Sequence, residues 1–155
     1  MKKQIVFGYI EKFSFWGIGF ILFLVIAFYK DAFQFILNKD YLDKLVTISS
    51  SLFAFLLAIL TIIVQSDSTS IKKIKAHKSY KRFIIFNRKI VFTYLLCSLI
   101  SIILIFLKHI LLWMNKEVLF WVGNINTSLF VVATIEAMYF TFLFYTLMML
   151  DLDKK

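Results

Sequence analysis

The sequence predicts an all-α fold, a polytopic membrane protein of four transmembrane helices, and three observations carry that prediction. Four apolar runs cover residues 13–29, 45–65, 90–113 and 127–150, and the last begins as early as Val118. A helix needs about 17–25 mainly apolar residues to cross the hydrocarbon of a bilayer. Hydrophobic residues make up 61% of the 155, above the about 45–50% usual in soluble domains, and mean hydropathy is +0.86. The cations, finally, are sorted by segment, as described below. Little is left outside the runs to build a soluble catalytic unit, so the chain reads as one four-helix transmembrane domain, residues 1–155.

Residues 1–12 are a basic and apolar lead-in to the first span. Lys2 and Lys3 resemble the start of a signal peptide, but Glu11 and Lys12 interrupt it and no A-x-A site follows, so the segment reads as uncleaved. In the first span Gly17 and Gly19 allow a neighbouring helix to come close, although their spacing is not the small-x-x-x-small pattern. Residues 31–37 alternate polar and aromatic side chains and read as an interfacial turn. Ser49, Ser50 and Ser51 lie near the outer end of the second span, where packing bonds to a neighbour are favoured over a pore lining.

Residues 66–89 form the sizeable polar connection, a short basic helical segment between spans two and three. Its opening Ser66, Asp67, Ser68, Thr69 and Ser70 are cap-forming residues after which a helix restarts. It holds Lys72, Lys73, Lys75, Lys78, Lys81, Arg82, Arg88 and Lys89. These eight are candidates for binding anionic lipid headgroups, each worth about 1 kcal/mol near a charged surface, or for docking a cytoplasmic protein. Tyr80, Phe83 and Phe86 would allow stacking on nucleic-acid bases, the less favoured alternative. The third span closes on Lys108, His109 and Trp113, which suit a membrane interface better than a metal site. Gly123, Asn124, Ile125, Asn126 and Thr127 read as a break before the true fourth span.

The net charge of +9 fixes an orientation. Thirteen of the 18 Lys and Arg lie in the N-terminal lead-in, the 66–89 connection and the C-terminus, which share one side of a four-span protein. Short loops rich in Lys and Arg stay in the cytoplasm. Both termini are therefore expected inside a bacterial inner membrane, and heavy use of Phe, Ile, Lys, Asn and Tyr points to an AT-rich bacterial genome.

Glu136 stands out, an acid near the middle of the fourth span with no charged residue within two turns of its own helix. An ionised acid there costs at least about 2.5–3.5 kcal/mol on insertion scales and usually faces a bundle interior or a hydrated path. Thr127, Thr134, Met138, Thr141 and Tyr145 recur at spacings of three, four and seven and form a second polar stripe on the far side of the helix. One stripe can face the subunit's own core and the other a neighbouring subunit. The plainer reading is a protonated Glu136 bonded to Ser or Tyr on another helix. Glu136, Thr127, Thr134, Thr141 and Tyr145 are the candidate intramembrane or pore residues.

Enzyme signatures are missing. The four glycines make no phosphate loop, Cys97 has no partner cysteine, and no His-x-x-x-His or G-x-S-x-G occurs. No enzyme activity, cofactor or metal is expected. The general layout, the second span over residues 52–63 and the basic stretch Lys78, Ser79, Tyr80, Lys81, Arg82, Phe83 resemble the small four-span inner-membrane proteins of bacterial phage-defence, or abortive-infection, systems. The resemblance covers about a third of the chain and rests on no catalytic motif. It implies a homo-oligomer that permeabilises or depolarises the inner membrane when a cytoplasmic partner signals infection. A non-conducting anchor or sensor that recruits a soluble effector is the alternative, ahead of holin-like lysis or a small transporter subunit.

Overall fold

The computed structural model describes the backbone of residues 2–65, 72, 75, 80–110 and 116–149, and the side chains of 15–65, 72, 75, 80, 83–107 and 116–145. Among the described residues there are four α-helices: α1 (Lys2–Phe28), α2 (Lys39–Gln65), α3 (Tyr80–Ile110) and α4 (Lys116–Met149). A 3-10 turn, Gln34–Leu37, joins α1 to α2. Stretches of α2, α3 and α4 are long and apolar enough to cross a membrane: Lys39–Gln65, Phe83–Leu107 and Lys116–Tyr145. The apolar part described in α1, Phe15–Phe28, is shorter. The chain is thus helical throughout these elements and has the character of a membrane protein.

Consecutive helices run antiparallel and pack in the row α1, α4, α3, α2. The row curls, because the 3-10 turn packs on both α2 and α4 and Tyr41 of α2 donates a hydrogen bond to Thr127 of α4 at 3.1 Å. One end of the bundle therefore collects the start of α1, the end of α2, the start of α3 and the end of α4. It is called the basic end here, since Lys72 and Lys75 lie in the segment beyond it.

Along α3 the buried residues Phe83, Asn87, Ile90, Tyr94, Cys97, Ser101 and Leu104 form one line, with Ser98 buried beside it. They alternate spacings of three and four, the seam expected when one helix face is covered along its length. Toward the basic end this seam meets Leu56, Ile59 and Ile63 of α2 and Ala133, Ala137 and Phe140 of α4. The rings of Phe83 and Phe140 stack there, with centroids 4.4 Å apart. At the opposite end Leu42, Leu104 and Leu119 form a smaller cluster, and Ile26, Ile36 and Phe120 another. Lipid tails are as apolar as these side chains, so fit and hydrogen bonding hold such a bundle more than the hydrophobic effect does.

Two glycines are used for close approach. A Cβ on Gly19 would stand 2.3 Å from Val132 Cγ2, so α1 meets α4 where Gly19 lacks a side chain, whereas a Cβ on Gly17 would meet nothing within 4 Å. A Cβ on Gly123 would stand 2.9 Å from Ile36 Cγ2 of the 3-10 turn.

The expected break at residues 123–127 is not there: α4 is a continuous helix across it. Gly123 accommodates the 3-10 turn, and Asn124 and Asn126 bond to neighbouring helices instead of bending their own. Glycine tolerated in a buried helix and amides that find partners on neighbours are common within membranes. The cap-forming run at 66–70 and the belt residue Trp113 lie outside the described residues.

Candidate functional site

Glu136 is 2% exposed, and among the described residues its bond is to a lysine and not to Ser or Tyr. Its Oε1 accepts a hydrogen bond from Lys89 Nζ of α3 at 2.5 Å. The Lys89 ammonium also lies over the ring of Trp16 of α1, 5.2 Å from the centroid. Three helices therefore meet at one charged pair. The carboxylate is fully enclosed while the Lys89 side chain stays 35% exposed.

This corrects one expectation. Lys89 closes the basic connection in the sequence and was expected to face headgroups or a partner, yet its charge is turned into the bundle. The reason is register. Two residues earlier Asn87, fully buried, donates through Nδ2 to the carbonyl oxygen of Leu56 at 3.2 Å. Leu56 stands nine residues before Gln65, the last of α2, about 14 Å along the axis. The start of α3 is thereby drawn alongside the apolar part of α2, and Lys89 with it.

The other expected residues divide. Thr127 and Thr134 point into the bundle: Thr127 accepts from Tyr41, and Thr134 accepts from Tyr94 Oη at 3.2 Å while donating to the Phe130 carbonyl. Thr141 is exposed and donates to the Ala137 carbonyl. Tyr145 and Met138 are exposed as well. The polar stripe thus faces the core in its first half and the outside in its second. Of the basic residues, Lys72 is exposed, Lys75 donates to the Val64 carbonyl at the end of α2 at 2.8 Å, and Arg88 is exposed on the outer face of α3. Lys73 and Lys78 lie outside the described residues, as do the side chains of Lys81, Arg82 and His109.

Several polar contacts were not anticipated from the sequence. Asn126 Nδ2 donates to Ser101 Oγ at 2.7 Å, and Ser101 donates to the Cys97 carbonyl. Asn124 Nδ2 donates to the Phe23 carbonyl of α1 at 3.1 Å. The Ser50 and Ser98 hydroxyls, 3.2 Å apart between α2 and α3, are by contrast a packing contact of the kind expected of the serines. The start of the packed face was signalled, since the three-and-four spacing of the α3 seam continues back through Asn87 and Phe83, but the Lys89 contact itself was not.

A side crevice of about 300 Å³ opens between α2 and α4, lined by Leu52, Phe55, Leu56, Tyr94, Thr134 and Met138 among others. Its walls are apolar apart from the bonded hydroxyls of Tyr94, Thr134 and Thr141. Among the described residues no group of three His, Cys, Asp or Glu could hold a metal ion. Family models, curated proteins and solved structures return no match to this chain.

Proposed function

We propose that this chain crosses a bacterial inner membrane four times with both termini in the cytoplasm and works there as an oligomeric, switchable effector. In the active form a pore or channel opens at the seam between subunits and depolarises the membrane, on a signal from a protein that docks on residues 66–89. The phage-defence setting rests on the sequence resemblance alone. A bundle whose centre is filled by side chains offers no path of its own, so conduction belongs to the seam. The outward half of the α4 stripe, Met138, Thr141 and Tyr145, supplies its surface.

The observation that carries the reading is the Lys89–Glu136 pair. Lys89 closes the basic connection and sits on α3, Tyr80–Ile110, which carries the end of that connection into the bundle. A partner that shifts or turns α3 moves Lys89 relative to Glu136. Separation leaves the enclosed carboxylate of Glu136 without its cation, and it must draw in water or another counter-charge. A contact that is favourable when closed and demands hydration when opened couples a cytoplasmic event to wetting of the membrane interior.

The test is ion flux. Liposomes holding the purified chain should leak ions when the activating partner is added, and Glu136→Gln should alter that flux while expression is kept. Intact liposomes together with co-purification of a soluble protein would support the second reading, a non-conducting anchor or sensor. One observation favours that alternative: most polar side chains of the described core are bonded within the bundle, and the side crevice is apolar.

A further inference from the structure

We propose that Arg88 holds the phosphate of an anionic phospholipid, drawn from the leaflet at the basic end into the depth of the bundle. The inference stands apart from the pore reading and rests on the same register. Asn87 faces α2 and Lys89 faces α4, each fixed by a hydrogen bond. Successive residues turn a helix by about 100°, so Arg88, between them, is directed away from both neighbours. It is exposed, on a face shared with the exposed Ile85, Phe92, Leu95 and Leu99. Arg88 is the one charged side chain of that face between residues 85 and 106 among the described residues.

The depth follows from the neighbours. At the level of Asn87, α2 is at Leu56, and exposed apolar surface continues toward the basic end through Leu57, Ile62 and Val64. On α4, Met138 and Phe142 continue it beyond Glu136. A guanidinium with apolar surface on both sides along the bundle lies within the hydrocarbon, not at its edge. Side chains on a helix tilt toward its N-terminus, which for α3 is the basic end, so Arg88 leans toward the nearer headgroups. Its planar fork of donors fits a phosphate. Snorkelling combined with local thinning of the bilayer is how such a charge is accommodated.

Among the described residues no exposed acid of a second copy standing side by side in the same membrane lies at the level of Arg88, so the counter-charge is assigned to lipid. The exposed acids among the described residues, Asp31, Asp40, Asp43 and Glu117, all lie at the opposite end of the bundle.

Native mass spectrometry of the full chain released from detergent tests this, with phosphatidylglycerol and phosphatidylcholine of identical acyl chains as probes. The wild type should retain phosphatidylglycerol in preference. Arg88→Gln should weaken that retention at least about fivefold, the equivalent of about 1 kcal/mol for one cation at a charged surface. Lys44→Gln, at an exposed cation of the opposite end, should leave it unchanged, and inorganic phosphate should not displace the lipid. Equal retention of the two lipids, full retention by Arg88→Gln, or an equal loss in Lys44→Gln would each overturn the proposal. Displacement by inorganic phosphate would overturn the lipid as the source. Should Arg88→Gln fail to fold, Arg88→Lys decides, because it keeps the charge but not the fork: an intermediate loss supports the site, and wild-type retention contradicts it. The liposome flux assay reads none of these quantities, so failure here and failure of the pore reading are separable.

Discussion

The two halves of α4 hold their neighbours by different chemistry. In its first half the buried contacts are neutral: Asn124 to the backbone of α1, Asn126 to Ser101 of α3 and Thr127 to Tyr41 of α2. The ion pair there, Lys30 with Glu117 at 2.9 Å, is exposed at the end of the bundle. In its second half one charged pair, Glu136 with Lys89, does the joining, helped by aromatic stacking at Phe140. Neutral hydrogen bonds between membrane helices average about 0.6 kcal/mol and reach about 1.7. They fix which helix lies where, and the loss of one is tolerable. A buried ion pair differs, because removing one partner strands the other charge at a cost of about 3–5 kcal/mol. The difference teaches that the first half is built to stay assembled, while the second is held by a contact that changes the state of the helix pair when it opens.

The largest effect should come from breaking the charged half on one side only. Lys89→Leu leaves Glu136 enclosed without its cation and should cost about 3–5 kcal/mol, read as a lower midpoint of denaturant unfolding in detergent. Replacing both, Lys89→Leu with Glu136→Leu, should return stability to the wild-type level or above it by about 1–4 kcal/mol, since apolar replacement of a buried pair is often neutral or favourable. If the double variant is stable but no longer responds to a partner, the pair serves switching and not assembly.

Next comes the helix contact that the neutral half depends on. Gly19→Ala places a methyl against Val132 and should destabilise the α1–α4 contact by about 1–3 kcal/mol, the usual effect of overpacking. Gly17→Ala, two residues away, meets open space and should be neutral or stabilise by about 0.5–1 kcal/mol, because alanine suits a helix interior better than glycine. The same unfolding measurement separates the two. An equal response would mean that α1 does not sit in the notch at Gly19.

Much of this arrangement was legible in the sequence. Hydropathy marked α2, α3 and α4, and charge within an apolar run singled out Glu136. The close approach at Gly19 was anticipated as well. The partner of Glu136 was not, since Lys89 adjoins a cluster of cations and a cation beside a loop is ordinarily read as cytoplasmic. Which residue of α3 lies beside which residue of α2 is a property of packing between helices, and hydropathy along one helix carries no information about it. Residues 123–127 misled for a related reason. Gly and Asn end helices in water, where turns compete for their hydrogen bonds, but within the bundle Asn124 and Asn126 find partners on α1 and α3 and the helix continues.

The smaller effects sharpen the neutral side of the contrast. Asn126→Ala removes the donor to Ser101 and should cost about 0.6–1.7 kcal/mol, well under the loss expected for Lys89→Leu. Tyr94→Phe removes one hydroxyl, while Thr134 keeps its bond to the Phe130 carbonyl, and should cost about 0.6 kcal/mol. A cost for either that matches Lys89→Leu would erase the distinction between the two halves.

A charge exchange tests the pairing of Lys89 with Glu136 most directly. Lys89→Glu places two acids against each other across α3 and α4, and Glu136→Lys places two amines there. Each single variant should unfold at much lower denaturant than the wild type. The double variant, Lys89→Glu with Glu136→Lys, restores opposite charges across the same two helices and should recover most of the lost stability, a coupling of about 1–3 kcal/mol in the double-mutant cycle. If the losses of the two single variants simply add in the double variant, the two side chains do not face each other, and the central contact proposed for this protein is wrong.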